Sequence, residues 1–181
     1  GLGKYKLRAV YLLKNDKEFL LFDGIKEIFK KIPEGKTFDL PSHLDERLRD
    51  SILSLSFLTP TRLKEKKELV KLPQFYHIIK SILIRISLLS YFHCDYKMEL
   101  DLRSLLEKCK SVKVHKFNLR WVDWKHFSSR AKEKIILGGF IGNISYDGDL
   151  KEWLPLLNLG EALHIGNGTS FGLGRYKINF D

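Results

Sequence analysis

With 181 residues, 44% of them apolar, the chain is long enough to bury a core and is not disordered by composition. Its 32 Lys and Arg against 22 Asp and Glu leave a net charge of +10, which favours a polyanionic partner, nucleic acid ahead of an anionic membrane surface; from charge alone, a basic protein with a solvated surface is equally open. Two cysteines, Cys94 and Cys109, exclude a disulfide framework and make a reducing cytoplasm the expected setting.

Lys4 to Leu13 alternates, with Tyr5, Leu7, Ala9 and Tyr11 on one side and Lys4, Lys6 and Arg8 on the other, which predicts a half-buried strand. Lys17 to Phe22 can pair with it across Asn15 and Asp16. Gly24 to Leu44 holds Pro33, Gly35 and Pro41 and reads as a linker with a short helical piece at Ile25 to Lys31. Ser51 to Thr59 is the next strand, with Leu53, Leu55 and Phe57 on its apolar face. Thr61 to Leu72 reads as a charged connector. Pro73 suits the first position of a helix that runs to about Phe92, since its missing N–H costs nothing there. Phe75, Ile79, Ile82, Ile86 and Leu89 form the main buried stripe of that helix, and Ile84 and Leu88 widen it. Lys80, Arg85 and three serines inside Phe75 to Cys94 argue for a core helix rather than a membrane span.

Two strands follow, in Val112 to Phe127 and Ile135 to Tyr146. A second helix is expected with Asp149 as N-cap and Glu152 three residues on, broken in two by Pro155. Gly160 to Gly174 is a glycine-rich loop. Arg175 to Phe180 is the last strand, with Tyr176, Ile178 and Phe180 inward and Arg175, Lys177 and Asn179 outward. From residue 50 the order is β-α-β-β-α-β, which predicts an α+β, ferredoxin-like antiparallel sheet with two helices on one face and the other face free to bind. The chain also repeats itself: Gly1 to Leu7 reads GLGKYKL and Gly172 to Ile178 reads GLGRYKI. A repeat that distant suggests two copies of one structural unit. The expected organisation is therefore the last strand of a preceding domain at 1–13, a linker at 14–49 and a ferredoxin-like domain at 50–181.

Two segments carry chemistry. In the glycine-rich loop, Gly166, Asn167, Gly168, Thr169, Ser170, Gly172 and Gly174 offer successive N–H groups that can cradle an anion; a ligand-free connection is an equal reading. The loop precedes a strand, so it is not a dinucleotide-binding fingerprint, and it lacks the Lys-Ser/Thr of a P-loop. In Arg120 to Arg130, RWVDWKHFSSR, the groups Arg120, Lys125, His126 and Arg130 interleave with Trp121, Trp124 and Phe127. Exposed aromatics stack on unpaired bases while Arg and Lys hold phosphates. Trp121, in line with Phe117 and Leu119, is favoured as a core residue. Outward Arg175 and Lys177 add to the basic set. His126 is the candidate general acid or base, and His164 reads as a hydrogen-bonded packing residue. His93, Cys94, Cys109 and His115 fit no common zinc-finger spacing, and no metal or cofactor is expected.

These segments resemble a family. RWVDWKHFSSR, LGGFIGNISYDGDL (Leu137 to Leu150), LGEALHIGNGTSFGLGRY (Leu159 to Tyr176) and SFLTPTRL (Ser56 to Leu63) are similar to CRISPR-associated endoribonucleases of the RAMP superfamily, which process precursor CRISPR RNA. The resemblance covers residues 50 to 181, and residues 1 to 13 look like the end of the preceding RAMP domain. It implies tandem ferredoxin-like domains that bind CRISPR repeat RNA. It also implies metal-independent cleavage, in which a 2′-OH attacks the adjacent phosphate and leaves a 2′,3′-cyclic phosphate. Asn167 stands where family members often carry Lys, and the family's acid/base residues usually sit in the N-terminal domain. The partners implied are repeat RNA, that N-terminal RAMP domain, and other CRISPR effector subunits or a second copy; no membrane is implied. Two alternatives stay open: a non-catalytic RAMP subunit of a CRISPR effector complex, and a nucleotide-binding protein that uses the glycine-rich loop.

Overall fold

A computed structural model describes residues 8–14, 17–23, 25–26, 28–29, 52–123, 125–128 and 133–180. The first copy of the repeat, the centre of the linker and Trp124 lie outside the described residues. The chain divides into two compact units, Gly1–Asp39 and Leu40–Asp181.

In the first unit β1 (Ala9–Lys14) pairs antiparallel with β2 (Lys17–Asp23), as the alternation predicts, with an irregularity between Val10 and Tyr11. The expected helical piece after it is corrected. The Asp23 carboxylate accepts N–H bonds from Ile25 (3.0 Å) and Lys26 (3.2 Å), which folds the chain back, and β3 (Ile28–Phe29) pairs with β2.

The second unit holds β4 (Ile52–Thr61), the hairpin β5 (Leu63–Glu65) and β6 (Glu68–Val70), α1 (Phe75–Cys94), α2 (Leu102–Lys108) and β7 (Lys113–Val122). It continues with β8 (Lys125–Ser128), β9 (Glu133–Ile136), β10 (Gly139–Asp147), α3 (Leu154–Leu163) and β11 (Tyr176–Asn179). The main sheet has the antiparallel order β11-β4-β10-β7. With α1 between β4 and β7, and α3 between β10 and β11, this is the expected α+β ferredoxin-like arrangement. One face of the sheet and the inner faces of α1 and α3 share a core that includes Leu53, Leu55, Phe75, Ile79, Ile82, Ile144, Leu154, Leu157 and Tyr176.

Several local expectations are corrected. Thr61 to Leu72 is a hairpin, turned by Lys66 and Lys67 at φ 47° and 74°, where the paired left-handed residues match the twist of the strands. Pro73 precedes the helix: Gln74 is the N-cap, and the Pro73 carbonyl instead accepts the hydroxyl of buried Tyr146 at 2.9 Å. Ile84 and Leu88 are 45% and 48% exposed, so the α1 stripe is narrower than the sequence suggests. It is made by Phe75, His77, Ile78, Ile79, Ile82 and Leu83. Helix α1 is long and apolar enough to cross a membrane, yet Phe75, Ile78, Ile79, Ile82 and Leu83 lie in the core and His77 is buried beside them.

The expected capping by Asp149 and break at Pro155 are also corrected. A 3-10 turn at Lys151–Trp153 leads into α3, and Pro155 lies in the first turn of α3, where it displaces no helical hydrogen bond. Gly160 belongs to α3 rather than to the loop: a Cβ there would stand 2.4 Å from the Tyr176 hydroxyl and 2.7 Å from Ile82 Cγ1, so its bareness lets α3 sit close on α1 and β11. Beyond β7, the hairpin to β10 is prolonged by the separate ribbon β8-β9.

Candidate nucleic-acid interface

The face of the sheet opposite the helices is paved with polar side chains. Register aligns Lys177, Ser56, Asn143 and Asn118 across all four strands, and beside them Asn179, Ser54, Ser145 and Lys116. These residues alternate with the core positions Leu55, Ile144 and Ile178, so they point away from the helices. Ser54 Oγ lies 2.8 Å from Ser145 Oγ, and Asn179 Nδ2 donates to Ser56 Oγ at 2.6 Å, which stitches the strands at side-chain level. Arg120 on β7 continues the set of Lys116 and Asn118, and Arg175 precedes Lys177 by two residues. Arg120, Arg175 and Lys177 are all exposed.

Three of the sequence-derived candidates therefore meet on one face. Arg120 and Lys116 rise from one edge, and Arg175 and Lys177 from the other, three strand spacings or about 14 Å away. Hydroxyls and amides lie between. Such a face has a positive rim and a hydrogen-bonding floor, suited to a backbone of phosphates and sugars. Trp121 behaves as the packing residue expected, half-buried against the core with its indole N–H donating to Asp123 Oδ1 at 2.8 Å. Phe117 pairs with core Ile144 yet is 55% exposed at the sheet edge. Lys125 and His126 lie on β8, but their side chains, and all of Arg130, lie outside the described residues.

The glycine-rich loop begins at His164, whose Nδ1 lies 3.2 Å from the Leu173 carbonyl. That carbonyl can only accept, so Nδ1 carries the proton, and His164 is the hydrogen-bonded packing residue expected. Most loop N–H groups are already engaged. Ile165 donates to Gly174, Asn167 to Arg62, Gly174 to Pro60, Phe171 to Gly168 and Gly172 to Thr169. Gly166 donates to Ser81 Oγ at 2.8 Å. The glycines thus serve close backbone approach, binding the loop to β4 and α1. Gly168 and the 3-10 turn at Thr169–Phe171 form its outer tip.

On the helical side, residues that the sequence did not single out gather at the start of α1. The Gln74 N–H donates to His77 Nδ1 at 2.9 Å, so His77 Nε2 bears the proton and donates to Glu65 Oε2 at 3.0 Å. The Tyr76 hydroxyl donates to the same oxygen at 2.7 Å. Those two hydrogen bonds hold the Glu65 carboxyl below its ordinary range. Burial, then Glu65, push the Tyr76 phenol up to about 12. Beside this cluster a cleft of about 230 Å³ opens between β5, α1 and the loop. No short sequence motif signals it, because its walls come from three separated segments. Among the described residues, no group of three His, Cys, Asp or Glu is placed to hold a metal ion.

The fold is that of a ferredoxin-like domain whose open sheet face is polar and basic at its edges. The model of the family CRISPR-associated endoribonuclease Cas6 matches residues 55–176, and the chain belongs to that family. The chain is similar in fold to Thermus thermophilus Cas6, with a TM-score of 0.53 at 22% identity, covering 76% of this chain and 57% of that one. A Cas6 product complex matches with a TM-score of 0.52 at 20% identity, over 76% and 54% of the two chains. A partial Cas6-RT-Cas1–Cas2 complex matches with a TM-score of 0.52 at 16% identity, over 77% and 24%. The chain thus spans about half the length of the solved Cas6 proteins it matches. No curated protein matches it.

Proposed function

We propose that residues 50–181 form the C-terminal, RNA-binding domain of a CRISPR repeat-RNA processing endoribonuclease. The observation that carries this reading is the polar open face of the sheet, rimmed by Lys116 and Arg120 on one edge and Arg175 and Lys177 on the other. Family membership supplies the substrate class, precursor CRISPR RNA, and the relative described as a product complex is consistent with it. Residues 1–13 are read as the end of a preceding RAMP domain. Of the glycine-rich loop, Gly168, Thr169, Ser170, Gly172 and Gly174, which run into Arg175 in sequence, are read as further RNA contacts, as are Lys125 and Arg130.

Cleavage in this reading needs no metal. The RNA 2′-OH attacks the adjacent phosphate, the 5′-oxygen leaves, and a base and an acid move the two protons. Of the candidates in this chain His126 alone is retained, and the main acid/base pair is assigned to the preceding domain. General acid–base catalysis is worth about 10²–10⁴-fold, so the 181-residue chain should bind repeat RNA weakly and cleave it poorly. Incubation with repeat RNA in EDTA tests this. Efficient site-specific cutting by this chain, abolished by His126→Ala, would place the active site here instead. The non-catalytic effector subunit differs in one outcome: the full-length protein would then bind repeat RNA without cutting it. The location follows as cytoplasmic, where the precursor RNA is made.

A further inference from the structure

The cleft on the helical side is walled by Arg62, just before β5, Lys64 of β5, and Lys80 and Arg85 of α1, with Gly166 and Asn167 of the loop also lining it. No carboxylate lines it among the described residues; Glu65, next to the lining residue Lys64, is held by Tyr76 and His77. Arg85 Nε is buried and makes no hydrogen bond to the protein. A buried donor without a partner is costly, so an acceptor that enters the cleft gains that bond as well as the local charge. Ile84 and Leu88 follow Lys80 at helical spacing on the same wall of α1, 45% and 48% exposed, and give that wall an apolar ledge. Cations beside an apolar ledge suit a ligand with an anionic end and a flat uncharged body. The volume is below the usual lower limit of about 300 Å³ for small-molecule pockets, so it suits one such unit rather than a dinucleotide cofactor.

We propose that this cleft is a binding site for a single nucleotide unit, its phosphate on Arg85, Lys80 and Lys64 and its base on Ile84 and Leu88. It lies on the helix-covered side of the sheet, away from the polar face assigned above to RNA. The nucleotide is either one residue of an RNA whose chain continues round the glycine loop or a free mononucleotide; the chemistry of recognition is the same.

Nuclear magnetic resonance on the whole chain tests the site. Adenosine monophosphate should shift the Arg85 Nε–H, Gly166 and Asn167 resonances, whereas adenosine should leave them in place. An oligoribonucleotide shifts the same signals if RNA is the source, and leaves them in place if the ligand is a free nucleotide. Arg85→Gln should weaken monophosphate binding by about tenfold and leave the amide signals of Lys116 and Lys177 as in the parent. If Arg85→Gln does not fold, the parent titrations still decide. Equal shifts with adenosine and its monophosphate would overturn the phosphate assignment, and no shift with monophosphate or RNA would overturn the site. Failure of RNA to bind the sheet face, read at Lys116 and Lys177, overturns the reading above without touching this one.

Discussion

Gly172 and Gly174 share a left-handed backbone, with φ of 78° and 77°, but not a neighbourhood. A Cβ on Gly174 would lie 1.8 Å from the Ile165 carbonyl oxygen, while one on Gly172 would meet nothing within 4 Å. Gly172→Asn should therefore be nearly neutral, because Asn tolerates this backbone region. Gly174→Ala should cost at least about 1–3 kcal/mol and loosen the loop from β4. Urea midpoints of the two variants check this; equal midpoints would remove the packing role of Gly174. At Glu65, the hydrogen bonds from Tyr76 and His77 lower the folded-state pKa below that of the unfolded chain. The stability they contribute is present above the ordinary carboxylate range near 4.5 and is lost as pH falls through the lowered value. Glu65→Gln should flatten the acid limb of a plot of urea midpoint against pH. Tyr76 acts in the opposite sense: its raised pKa supplies stability below pH 10 that disappears as pH approaches about 12.

Helix α1 shows what one-dimensional pattern can and cannot give. Its apolar residues recur on nearly every side, so the sequence reads as a widely covered helix, while the structure buries only the sheet-facing stripe. Ile82→Ala should cost about 2–5 kcal/mol and Leu88→Ala less than about 0.5 kcal/mol, measured by chemical denaturation. Comparable losses at both would mean that the outer face is packed. The strands β4, β10 and β11 were legible because one face is buried and their side chains alternate with period two. The hairpin over Leu63–Val70 was not: its strands are three residues each, and Lys66 and Lys67 occupy turn positions usually held by Gly or Asn. Helix α2 escaped for a related reason, since seven residues without a buried side chain leave no periodic stripe. Of the candidate site, Arg120, Arg175 and Lys177 could be read from alternation. Their convergence on one face required the strand order, which depends on contacts far apart in sequence.

At the scale of the whole molecule, the charge excess is arranged as well as large. Positive side chains occupy both edges of the open face, so an RNA strand that crosses it meets cations at entry and exit. Counterion release makes such binding steeply salt-dependent. Replacing Arg120, Arg175 or Lys177 by Ala should each lower the slope of log K against log salt by about one. Unchanged slopes in all three would exclude the face as the RNA path. Tyr146 and Tyr176 lie at the centre of the second unit, fully buried, with hydroxyls donating to the carbonyls of Pro73 and Leu157. Burial drives both phenols far above their ordinary pKa. Neither can lose its proton while the core is intact, so in strong alkali their ionisation waits for the fold to open. The ultraviolet absorbance of phenolate is then a built-in clock for unfolding. After a jump to high pH, the delayed fraction of the signal should rise at the rate at which the domain comes apart.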